Sequence, residues 1–140
     1  MTLPQPADLT SLVLRTDFSD DAAWDAVRAA IDGADVHPNA TYVSDPRFTE
    51  VSIQVLVDED AAAEEDDKIT YAFLADTTTM TEPSRPLLVV DLYDEPGRTF
   101  RVPVRWFSEI SANLSIANLD FADFADTADG SGTFRGFSDD

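Results

Sequence analysis

Apolar residues recur along this chain with two periods, and the period assigns each segment to strand or helix. The run LVLRTDF at 12–18 is rich in strand formers and reads as a first strand. Directly after it, Ser19 offers an N-cap, and Asp20 and Asp21 stand where negative charge complements a helix dipole. Trp24, Val27 and Ile31 then recur at helical spacing until Gly33, so a helix follows the strand. Residues 34–47, with His37 and two prolines, form a connection in which ATYV is a short strand.

The segment FTEVSIQVLVDEDAAAEEDD fits both periods. Val51, Ile53, Val55 and Val57 alternate as in a strand, while Ile53, Leu56 and Val57 share a helical face, and helix is the preferred assignment. Its seven acids at 58–67 read as a fraying helix end or solvated loop, without the glycine and ligand spacing of a calcium loop. ITYAFLAD at 69–76 and LLVVDLY at 87–93 are the clearest strands. The second is apolar on both faces, as suits a central strand covered above and below. Glu95-Pro96-Gly97-Arg98 matches a type II turn, after which TFRVPV returns as the antiparallel partner in a hairpin over 87–104. Pro103 assigns that returning strand to a sheet edge.

Trp106, Ile110 and Leu114 lie four apart and predict a helix over 106–117. Asn118 ends it in the left-handed conformation, and Asp120 caps a last helix, with Leu119 and Phe124 placed as a hydrophobic staple. DGSG closes that helix, and TFRGF supplies a short terminal strand or an apolar plug. The expected fold is a single α/β domain over 11–137: a mixed, mostly parallel sheet, a β-hairpin in the C-terminal half and helices packed on it. Residues 1–10, with Pro4 and Pro6, read as a flexible arm and 138–140 as a short acidic tail.

Composition narrows this picture. A chain of 140 residues supports one core, and 44% hydrophobic residues with nine Phe exclude a disordered protein. The absence of cysteine removes disulfides, thiolate catalysis and cysteine-ligated zinc, and suits a reducing compartment. The first twelve residues carry no basic segment or signal-length apolar run, so the expected setting is soluble and cytoplasmic. A net charge of −19 repels nucleic-acid phosphates and anionic lipid, which leaves either a solvating coat or a complement to a basic protein partner.

LVLRTDFSDDAAW, YVSDP, PLLVVDLYDEPGRTFRV and NLSIANLDFADFAD with a following FRGF together resemble a bacterial, mostly actinobacterial family, domain of unknown function 6924. The resemblance spans nearly the whole chain. It implies one cytoplasmic domain and supplies no catalytic residue, ligand or partner.

Three aspartates at or near strand ends carry the sharpest candidate chemistry: Asp17, Asp76 and Asp91. If their strands run parallel, the three carboxylates share the sheet edge where open α/β folds bind ligands, and together they would hold magnesium for phosphoryl chemistry. The one lysine, Lys68, is poorly placed to assist on a phosphate. The plainer reading has Asp17 and Asp76 capping the turns that follow them. Alternation places Asp91 on the face of Leu87 and Val89, opposite Val102, where a buried carboxylate needs a partner; Arg15 is the expected one.

Asn113, Ser115 and Asn118 form a second candidate, a polar binding surface at a helix end. Asn113 and Asn118 are about 140° apart on a helix, which favours Asn118 as a helix stop instead. His37 has no companion for a triad or zinc site, and the glycines at 130, 132 and 136 lack dinucleotide spacing. Two functions follow. The first is a non-catalytic protein-binding or regulatory module, without cofactor, whose acidic surface meets a basic partner as immunity-type inhibitors do. The second is a small magnesium-dependent enzyme or phosphate-responsive domain using the strand-end aspartates. Neither assigns an oligomeric state.

Overall fold

In the computed structural model the described residues are 6, 10–34, 40–64, 68–93, 95–107, 110, 111, 121–126, 128 and 133. They form β1 (Ser11–Arg15), α1 (Asp21–Ala34), β2 (Ala40–Val43), α2 (Ile53–Ala62), β3 (Tyr71–Ala75), α3 (Thr77–Thr81), β4 (Leu87–Asp91), β5 (Thr99–Val102) and α4 (Phe121–Ala125). Short 3-10 turns cover Pro46–Phe48 and Val104–Trp106. The sheet order is β2-β1-β3-β4-β5. β1 is parallel to β2 and β3, whereas β3–β4 and β4–β5 are antiparallel. The α/β fold with a mixed sheet is as expected, but parallel pairing does not predominate. Connection length decides this: only residues 76 to 86 separate β3 from β4, fewer than the dozen or more that a parallel crossover needs.

Strand register builds two cores, one on each face. Val13, Phe73, Val89 and Phe100 stand in one row across four strands. This face packs against Trp24, Val27 and Ile31 of α1, Phe107, Ile110, and Phe121 and Phe124 of α4. Phe73 meets Phe107 edge-on with ring centres 4.7 Å apart. On the other face Leu12, Leu14, Ala72, Leu74 and Val90 pack with Phe48 and Leu56. β4 is thus buried on both faces, as its unbroken apolar run predicts.

Local signals set most boundaries. Asp20, one residue later than expected, caps α1 by accepting from the Ala23 N–H at 3.1 Å. Ser52 caps α2 through the Val55 N–H, and the ambiguous segment is a helix. In the hairpin turn the Arg98 N–H donates to the Glu95 carbonyl at 2.9 Å and Gly97 takes φ +94°, a value that suits glycine. The hairpin register differs from expectation, since Val102 pairs with Leu87 and not with Asp91. β5 ends the named sheet order, and an isolated parallel bridge joins its Arg101 to Thr133 in the TFRGF segment. Phe107, Ile110 and Ser111 are helical, but 112–120 lie outside the described residues, as does the arm apart from Pro6 and Thr10.

The acidic run contains an exception to the solvated reading. Asp58 and Glu64 are exposed, yet Asp60 is 2% exposed. Asp60 Oδ1 accepts from the Ile69 N–H at 2.7 Å and Oδ2 from the Thr70 N–H at 3.3 Å. Between them the Tyr71 N–H bonds back to the Ile69 carbonyl at 2.8 Å, a γ-type turn with Thr70 at φ +64°. A β-branched residue there is strained, because its Cβ crowds the backbone. Thr70→Gly is therefore expected to stabilise the fold by about 0.5 kcal/mol, strain relief exceeding the added chain entropy. A urea melt in which this variant unfolded earlier than wild type would show that Thr70 carries no net strain.

Candidate functional site at the carboxyl edge of the sheet

Because β1, β2 and β3 are parallel, their carboxyl ends meet along one edge, where β5 also ends and β4 begins. Ligands of open α/β sheets bind at such an edge. It gathers Arg15, Asp17, Ser44, Asp76 and, from β5, Arg101.

Arg15, last residue of β1, has a side chain 5% exposed. Its Nε donates to the Asp17 carbonyl at 2.9 Å, Nη2 to Asp21 Oδ1 at 2.7 Å, and Nη1 reaches Ser44 Oγ at 3.4 Å. The guanidinium lies 4.5 Å from the Phe18 ring centre and 5.7 Å from that of Trp24, within cation–π range. Asp21 is 87% exposed, so water screens its half of the pair. Asp21→Ala should cost under about 1 kcal/mol in a denaturation assay, because Arg15 keeps its other acceptors and its ring contacts. A loss of several kcal/mol would mean that the pair behaves as a buried one.

Asp17 accepts from the Ser19 N–H at 2.9 Å and from the Ser19 hydroxyl at 2.7 Å. The Ser19 hydroxyl and N–H, with smaller help from the Thr77 hydroxyl and Arg15, hold its carboxyl below the usual range against the opposing effect of burial. Asp76 caps α3 in a reciprocal box, accepting from the Thr79 N–H while its own N–H donates to the Thr79 hydroxyl. Arg101 Nη1 and Nη2 meet the two Asp76 oxygens at 2.8 Å each. Burial pushes this carboxyl up, but the Arg101 bonds and charge, with the Thr79 donors, outweigh it and leave it below the ordinary value. The plainer reading of these two aspartates as caps is thus what the geometry presents, with an arginine clamp added to Asp76.

Asp91 is elsewhere. It pairs with Tyr71 at the start of β3, whereas Asp76 follows the end of that strand. At about 3.3 Å per residue, the five positions from 71 to 76 separate the two by about 16 Å. Magnesium binds its oxygens at about 2.0 to 2.1 Å, so the three aspartates form no common site. The reversal of β4 causes the separation, and it also removes Asp91 from Arg15, which pairs with Ala75 at the carboxyl edge. The expected Arg15–Asp91 ion pair does not form. Asp91, 3% exposed, instead accepts from the Tyr93 N–H at 2.9 Å and the Glu95 N–H at 2.8 Å, organising the hairpin turn. No group of three or more His, Asp or Glu is placed to hold a metal among the described residues.

Two features of the sheet edges have no signature in the sequence pattern. The first is the partner of Asp76: Arg101 lies two strands away from β3, and no local spacing links the two residues. The second is at the opposite edge, where Ser11 Oγ lies 2.7 Å from Tyr71 Oη and 2.6 Å from Ser111 Oγ, a hydroxyl chain tying residue 111 to the sheet. Burial raises the Tyr71 phenol, against its bond with Ser11.

The family model for a domain of unknown function, DUF6924, matches residues 10–137. The chain belongs to this family. Both strand-end clusters lie inside the matched span, so the carboxyl edge and the hydroxyl chain are parts of the DUF6924 domain. A comparison with curated proteins gave no match. Asn113, Ser115 and Asn118 fall within the matched span but outside the described residues, as does His37.

Proposed function

We propose that this DUF6924 domain is a non-catalytic protein-binding or regulatory module whose negative surface meets a basic protein partner. One observation carries the reading: seven described cationic side chains already have partners within the chain. Arg15 is bound to Asp21, Arg28 to Asp25, Arg47 to Asp45, Arg98 to Glu95 and Asp126, and Arg101 to Asp76. Arg85 donates to the Met80 carbonyl and Lys68 to the Ala61 carbonyl. With 28 acids against 9 bases, the chain carries a net charge of −19, a field that draws a cationic protein and steers its approach. The strand-end aspartates, engaged as caps and clamps, support a role without chemistry of their own. Inhibition of a basic enzyme by a tightly held acidic partner is the regulatory arrangement such a surface suits. The cysteine-free chain suits a reducing compartment, and we place the encounter in the cytoplasm.

The test is capture from host lysate on the immobilised, folded domain at about 50 mM and about 500 mM salt, where screening differs strongly. A basic protein should be retained at low salt and released at high salt. It should be lost when exposed Asp25, Asp58, Glu64 and Glu82 are replaced by their amides. Recovery of nothing at low salt, or equal retention by the amide variant, would overturn the proposal.

A further inference from the structure

We draw no further inference here: the strongest candidate, the Arg15 guanidinium buried at the carboxyl edge beside the start of α1, already has Asp21, Ser44 and the Asp17 carbonyl as acceptors, so nothing at that edge points to a ligand.

Discussion

Replacing Asp60 with alanine is expected to lower stability by about 3 kcal/mol, the largest single effect anticipated outside the apolar core. The carboxylate is buried and serves two backbone donors, Ile69 N–H and Thr70 N–H. Its removal leaves donors in or near the protein interior without that acceptor, and each such loss costs about 1 to 3 kcal/mol. It also leaves the positive-φ turn at Thr70 without the clamp that holds it. Asp60→Asn should fall between alanine and wild type, because an amide offers one acceptor oxygen where the carboxylate offers two. Asp58→Ala, on the exposed side of the same helix, should stay within about 0.5 kcal/mol. Urea titrations of the three variants give the comparison. Equal midpoints for the Asp58 and Asp60 alanine variants would show that the clamp contributes nothing.

Asp60 also marks a limit of composition as a guide. Its seven acids make the run at 58–67 look uniformly solvated, yet Leu56 and Asp60 are four apart and share the buried side of α2. Helical phase thus marks one acid in the run as inward-facing. The strands, the hairpin, its glycine turn and the first helix are legible because each rests on a local period or a turn residue with fixed backbone demands.

Strand direction is a different kind of information. Alternation correctly puts Asp91 on the buried face shared with Leu87 and Val89, but face says nothing about which end of the sheet a residue occupies. Arg15 and Asp91 are both buried, and the reversed β4 sets them at opposite ends. The short link over 76–86 holds the clue, since it leaves too little chain for β4 to return parallel to β3. Chain length alone therefore argues against the three-aspartate magnesium site. The Asp76–Arg101 clamp is less accessible, because it depends on the row Leu74, Leu88, Arg101 across three strands, a register fixed only once the hairpin is in place.

That clamp yields the second large effect. Arg101→Met, which keeps an unbranched chain but removes the charge, should cost about 2 kcal/mol at neutral pH. The pair is partly buried, with side chains 23% and 26% exposed, so the loss should fall below that of a fully desolvated pair. Asp76 retains its bonds to Thr79 in the variant and is not left bare. The pH dependence separates charge from packing. The Asp76 carboxyl lies below its ordinary value in the folded protein, so the unfolded chain binds its proton first on acidification. Its stabilising contribution is therefore complete above the ordinary carboxylate pKa of about 3.9 and disappears as pH falls through the lower folded value. The gap between wild type and Arg101→Met should accordingly be widest near neutrality and narrow below about pH 4. Denaturant titrations at a series of pH values measure it. A gap that stayed constant down to the acid limit would assign the effect to pH-independent contacts of Arg101, such as its bond to the Pro86 carbonyl, and would leave the charge on Asp76 without a structural role.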